Sequence, residues 1–462
     1  MKIKIKNLGA LKQAEFTLGD FTIICGRNNT GKTYATHALF GFLFTWQDRF
    51  SIKIKADKID LLLADGVVYL NLEEYIEQVE QIVAEGCQAY TKELPKVFAA
   101  RPERFKETEF QVSLGDRDIK LLNKFDLKIG SGEVSLFSIV KNEDSTELVV
   151  TLLVEKEKVK IPTEIIERII ADALKEIIFM QTFPRPFIAS TERTGAAIFR
   201  KELNFDRNRL FAEMGQAKEN VDLIELLLKD HGDYALPIKR NVEFIRQLET
   251  IVKKSSFITE NHADVLQDFA DIIGGQYIVT RNDELYYEPH KSKRLQLSMD
   301  ESSSAVRSLL DIGFYLRHEA QIGDLLMVDE PELNLHPENQ RRLARLFARL
   351  INLGIKVFIT THSDYIIKEL NTLIMLNHDK PHLKRIAQKE SYLEAELISS
   401  ENLKVYIAEE ALIQLDGKTR KTKCQTLTAA NIDPELGIEA RSFDSTIDTM
   451  NRIQEAIIWD QE

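Results

Sequence analysis

The chain has 462 residues, 44% of them hydrophobic and 29% charged, and a formal net charge of −12. This is the composition of a globular protein of two or three structural units, and its acidity argues against a surface that binds nucleic acid throughout. There is no apolar run of about eighteen residues and no secretory leader, because residues 1–6 alternate as a strand does, so a cytoplasmic protein without membrane contact is expected. Cys25, Cys87 and Cys424 lie far apart without metal-ligand spacing, which excludes a zinc site and a disulfide framework.

Residues 2–5, 14–18 and 21–25 read as three strands, the last of them a buried apolar run. They lead into Gly26, Arg27, Asn28, Asn29, Thr30, Gly31, Lys32 and Thr33, a phosphate-loop pattern between that strand and a helix over 34–44. Glycines let backbone N–H groups wrap phosphates, and the helix N-terminus adds a positive dipole end. Lys32 would then reach the terminal phosphates of ATP, and Thr33 would ligate magnesium (Mg2+).

The pattern next turns helical over 70–98 and then alternates over 110–155 as an antiparallel meander, with turns at 130–132 and 142–144. Residues 162–180 and 206–273 are mostly helical. They are too short and irregular for sustained heptads, and they suit a compact arm or a pair of short antiparallel helices. Between them, residues 186–195 read as a strand entering a polar turn and a helix, with Arg193 at the turn.

Ser302, Ser303 and Ser304 open an apolar-periodic helix, either as a simple N-cap or as a helix start small enough to approach a phosphate. Leu325 to Val328 form a short buried-strand signal that ends in Asp329, Glu330, Pro331 and Glu332. Such a strand delivers a magnesium ligand and a water-orienting acid in phosphate-handling α/β proteins. About thirty residues later a second apolar run ends at His362, and that spacing is one strand-helix-strand unit, so His362 should emerge at the same sheet edge as Glu330. After a helix over 363–376 come short strand signals such as 403–407, a basic run at 418–423 that is either a solvated loop or a DNA contact, and a helix over 445–459.

Together these pieces resemble the ABC-class ATPase head of the SMC and RecF proteins, and the wording DEPELNLHP followed by THS resembles the OLD-like branch. The resemblance implies an α/β fold, a two-lobed P-loop head interrupted by a helical insertion and followed by a small C-terminal α/β extension. In it Gly26 to Thr33 are the Walker A loop, Asp329 with Thr33 holds Mg2+, Glu330 is the catalytic carboxylate and His362 the switch histidine. Ser302, Ser303 and Ser304 stand for the signature that closes over ATP bound to a second subunit, although its usual Gly-Gly is absent. Gln181 is the nearest candidate for a glutamine loop, and Arg193 is placed near the nucleotide or the neighbouring subunit.

The implied organisation is a first lobe (1–55), its β-rich completion (56–160), a helical insertion (161–271), a second lobe (272–376) and the extension (377–462). OLD proteins continue into a Toprim nuclease domain, for which residues 377–462 offer neither room nor pattern. The implied function is an ATP-hydrolysing switch that forms homo-oligomers from head-to-head dimers and controls a separate nuclease effector, Toprim-type or HNH-type, in bacterial antiphage defence. The alternative is a DNA-repair or chromosome-maintenance ATPase that clamps DNA.

Overall fold

The computed structural model describes residues 1–115, 117–131, 134–153, 162–199, 234–280, 284–292, 295–439 and 449–457, and the chain divides into two units. Part of the expected helical stretch, 206–233, and the ends of the expected C-terminal helix, 445–448 and 458–459, lie outside the described residues; 449–457 is helical.

The first unit comprises Met1–Lys4, Phe42–Glu93 and Glu109–Pro184. Its four-stranded antiparallel sheet runs in the order Val67–Asn71, Glu147–Leu152, Val134–Lys141, Phe125–Ser131, which contains the 125–152 part of the meander expected over 110–155; the strand Glu109–Ser113 belongs to another sheet. Burial alternates along Val67–Asn71, so only one face of this strand is covered. The helix Thr163–Phe179 buries Ile166, Ile170, Ala173, Leu174 and Ile177, one stripe at helical spacing. Phe42, Trp46, Phe50, Phe179 and Phe183 form an aromatic cluster with centroids 5.1–6.1 Å apart, mostly edge-to-face or tilted.

The second unit comprises Ile5–Gly41, Leu94–Thr108 and Arg185–Glu462. At its centre is a six-stranded sheet in the order Lys421–Ala429, Leu403–Gln414, Phe21–Gly26, Lys356–Thr361, Leu325–Asp329, Pro186–Ala189. Every pairing is parallel except the outermost one, between Leu403–Gln414 and Lys421–Ala429. Phe21–Gly26 and Leu325–Asp329 are buried along their whole length, which is why they read as unbroken apolar runs rather than alternating ones. The α/β fold class that the sequence implied is observed, with a mostly parallel central sheet whose strands are separated in the chain by inserted material. The C-terminal extension enters the central sheet, because Leu403–Gln414 lies parallel to the phosphate-loop strand.

The crossover helix Pro337–Asn352 starts at an N-cap, His336, with Pro337 in the first turn. It buries Leu343, Leu346, Phe347 and Leu350 against the sheet, while Arg341 and Arg345 on another face hold Glu369 of the helix Asp364–Leu376 at 2.7 and 2.5 Å. The helices Leu236–Arg246, Leu248–Ile251, Phe257–Asn261 and Ala263–Ile273 contribute Val242, Ile245, Leu248, Ile258 and Val265 to the core that contains the sheet. This core fixes the strand ends that carry the polar residues described next.

Candidate functional site

Sheet register brings the motifs together. Asp329 pairs with Thr360 and Cys25 with Thr361, so three loops leave the C-terminal ends of adjacent parallel strands, the usual ligand edge of an α/β sheet. The phosphate loop leaves Cys25 through Gly26 at φ +136, and a Cβ there would sit 2.5 Å from the Ala408 carbonyl oxygen of the neighbouring strand. Only glycine meets both conditions. Arg27, Asn28, Asn29 and Thr33 are exposed, whereas Lys32 is 5% exposed and opens the helix Lys32–Arg49. Its Nζ donates to the carbonyls of Gly26 (3.1 Å) and Arg27 (2.9 Å), curled into the loop it would otherwise share with phosphate oxygens. Burial lowers the Lys32 pKa, and Glu330, Asp329 and Glu332 act against that shift.

Asp329 is fully buried. Its Oδ1 accepts from the Thr360 hydroxyl, while its Oδ2 is enclosed and has no hydrogen-bond partner among the described residues. An orphaned carboxylate oxygen at this edge, with Thr33 in the first turn of the helix that follows the phosphate loop, fits a hard cation such as magnesium. No cluster of three or more metal-ligating side chains occurs among the described residues, so the ion would be held by Asp329, Thr33, water and phosphate oxygens.

Glu330 has φ +51, a left-handed conformation that is strained for a residue with a side chain. Its N–H donates to both the carbonyl and the hydroxyl oxygen of Thr360, each at 3.1 Å. Burial raises the Glu330 pKa; the positive potential of His362 opposes this, and Asp329 and Glu332 reinforce it. A carboxylate with raised affinity for protons is suited to accept one from water. His362 Nδ1 lies 3.6 Å from Glu330 Oε1 and has no hydrogen-bond partner among the described residues.

Sequence reasoning assigned no role to Glu332, Thr360 or His37. Glu332 accepts from the His362 N–H at 2.7 Å and the Thr361 hydroxyl at 2.9 Å, and so fixes the histidine loop. Thr360 orients Asp329 and Glu330 together. His37 is 6% exposed, and burial lowers its pKa. The acidic wording after Asp329 was the available signal for Glu332; nothing local marked the other two.

Arg193 is fully enclosed, and its guanidinium donates to the carbonyls of Asp329 (2.7 Å), Glu330 (2.8 Å), Ser190 (2.8 Å) and Ser308 (2.7 Å). It therefore lies behind the acidic turn and presents nothing to solvent. Ser303 and Ser304 are exposed at the start of the helix Ser304–Ser308, which Ser303 caps by accepting from Val306 N–H at 3.3 Å. Ser302 is 4% exposed, and its hydroxyl donates to the Ser298 carbonyl. Gln181 is an exposed turn residue of the first unit, whereas all the other candidates belong to the second.

No curated protein matches the chain. Among solved structures it is similar to an SMC head domain from Thermotoga maritima, with 9% identity, coverage of 93% of this chain and 98% of that one, and a TM-score of 0.31. It is also similar to an Smc head domain with an extended coiled coil bound to the C-terminal domain of ScpA derived from Pyrococcus furiosus, with 14% identity, 98% coverage of both chains and a TM-score of 0.30. No residue role is carried over from either. The family model for the AAA ATPase domain matches residues 1–367, most of the chain and all of the phosphate loop, acidic turn and histidine loop. The chain belongs to the AAA ATPase domain family.

Proposed function

We propose that this chain hydrolyses ATP as a switch subunit: two heads associate around two ATP molecules, and the assembly controls a separate nuclease effector in bacterial antiphage defence. The observation that carries the hydrolytic part is the meeting of Lys32, the orphaned Asp329 oxygen and the Glu330–His362 pair at one sheet edge. The wording of 329–337 and 360–363, which resembles OLD-like ATPases, supports the defence role.

In this reading Lys32 exchanges its two loop carbonyls for phosphate oxygens. Magnesium held by Thr33 and Asp329 would offset charge on the phosphates. Glu330, with its raised proton affinity, takes a proton from the attacking water, and His362 steadies the γ-phosphate. Ser303 and Ser304, exposed in the single chain, reach the nucleotide of the second subunit, so that association completes each site. The effector is of Toprim or HNH type.

Two variants test this. Lys32→Ala should abolish nucleotide binding, and Glu330→Gln should bind ATP without hydrolysing it and accumulate the associated form. Normal turnover by Glu330→Gln would remove that residue from its role. Affinity purification of Glu330→Gln from its native host then separates the biological readings. A nuclease at fixed stoichiometry supports an effector-controlling switch, while recovery of only this chain with DNA favours a repair-type clamp.

A further inference from the structure

We propose that Arg193 is a positioning residue that couples the helix Ser304–Ser308 to the acidic turn, so that association at the serine segment sets the direction of the Glu330 carboxylate. This inference rests on the hydrolytic reading above.

The geometry is that of a four-point clamp. A guanidinium is planar, with five donors in a fixed fork, and cannot release one acceptor without turning away from the others. Here Nε donates to the Ser308 carbonyl at 2.7 Å, Nη1 to Asp329 at 2.7 Å and Ser190 at 2.8 Å, and Nη2 to Glu330 at 2.8 Å. Ser308 is the last residue of the short helix that begins at Ser304, and the chain leaves helical conformation at the next residue, Leu309 (φ −105, ψ 3). A displacement at Ser303 or Ser304 therefore passes along little more than one turn to a carbonyl gripped by Arg193. At the other end of the fork, Glu330 sits at φ +51, between Thr360 on its N–H and Arg193 on its carbonyl. The Glu330 carbonyl also accepts from the Leu333 N–H at 3.2 Å, so if Arg193 turns, the strained peptide keeps only that bond within the turn on its carbonyl side and the carboxylate changes direction.

The surroundings allow such movement. Among the described residues Arg193 has no salt-bridge contact with a carboxylate; the negative charge that acts on it most strongly, Asp311 on the helix Leu310–Phe314, is buried with neither carboxylate oxygen hydrogen-bonded. Tyr277 ties the same helical segment from outside, donating to the Val306 carbonyl at 2.5 Å. The serine segment is thus held by the Tyr277 hydroxyl, the Arg193 fork and the Arg307 guanidinium, which donates to the Met299 and Ser302 carbonyls and the Ser304 hydroxyl; of these only the Arg193 fork also grips the acidic turn.

The test is Arg193→Lys, which keeps the charge but replaces the fork by a single ammonium. Nucleotide affinity should stay within about threefold of wild type, because Arg193 touches neither the phosphate loop nor Thr33. Turnover at saturating ATP should fall at least tenfold, and the increase of specific activity with protein concentration should be lost, a split between KM and kcat that general destabilisation would not produce. Wild-type turnover with an equal Arg193→Lys rate would overturn the coupling alone. Absence of turnover in wild type would overturn the hydrolytic reading and the coupling with it. Should Arg193→Lys fail to fold, hydrogen exchange on the wild-type chain with a non-hydrolysable ATP analogue and Mg2+ gives the answer. Amides 304–309 and those of Glu330, Glu332 and Leu333 should change protection together as protein concentration drives association. A response at 304–309 without one at Glu330, Glu332 and Leu333 would overturn the proposal.

Discussion

Asp311 makes the most quantitative prediction. It is 1% exposed, neither of its oxygens has a hydrogen-bond partner among the described residues, and burial pushes its carboxyl up from an ordinary 3.8 to about 7, against the opposing charge of Arg193. Tyr277, whose own pKa is raised, faces it as a neutral phenol. The native state therefore holds this proton more tightly than the unfolded chain. Its contribution to stability is fully present below the unfolded value near 4 and is lost as pH rises through about 7. Roughly three pKa units at about 1.4 kcal/mol each set a ceiling near 4 kcal/mol, of which about 3 kcal/mol falls between pH 5 and pH 8. Asp311→Asn removes the titration while keeping the volume, and the Arg193 charge adds only a pH-independent offset. Urea unfolding of both proteins across that range, followed by circular dichroism, should give a wild-type-minus-variant difference that declines by about 3 kcal/mol as pH rises. A flat difference would show that the carboxyl is hydrated or paired, and would refute the picture of an enclosed, unpartnered acid.

Gly26→Ala should weaken nucleotide binding at least tenfold and lower the melting temperature, because the new Cβ meets a backbone oxygen at 2.5 Å at φ +136. Gly66→Ala, at φ +75 with nothing within 4 Å, is its control and should cost about 1 kcal/mol in an unfolding titration with affinity unchanged. Glu369→Gln should destabilise the chain by about 3 kcal/mol in urea, since two arginine side chains lose a nearly enclosed partner, while ATP affinity stays intact.

The parts of the site legible in the sequence are those encoded within one short segment. Phe21–Gly26 and Leu325–Asp329 are covered on both faces, so their apolar runs identified them as central parallel strands, and the residues that follow each run had to lie at the ligand edge. Leu403–Gln414 behaved differently. Only its first half is buried, and Glu409 and Glu410 extend outward, so the sequence suggested a short strand at 403–407 where a twelve-residue one joins the phosphate-loop strand. The parallel pairing with Phe21–Gly26 spans nearly the whole chain and leaves no local periodicity to read. The same holds for Thr360, whose double contact with Asp329 and Glu330 follows from strand register rather than from residue type.

Glu330 shows why local rules fail at the site itself. A residue before proline is pushed toward extended backbone, and a residue with a Cβ avoids positive φ, yet Glu330 precedes Pro331 and has φ +51. A conformation costing on the order of 1–3 kcal/mol persists only where its surroundings over-determine it. Two of the determinants are remote: Thr360 lies 30 residues away, and Arg193 lies 137 residues away in the segment read as a polar turn entering a helix. The strain is thus held from the paired strand by Thr360, from Arg193, and within the turn by the Leu333 N–H on the Glu330 carbonyl. A relaxed Glu330 would need none of these holds, and its carboxylate would point the same way whatever the serine helix did; a strained one takes its direction from whichever contacts are in place. Replacing Thr360 by valine removes the hydroxyl that Glu330 shares with Asp329 while leaving the Thr360 carbonyl and the Arg193 fork in position. Turnover should therefore fall further than ATP affinity, and equal losses of both would place the effect in magnesium binding by Asp329 instead.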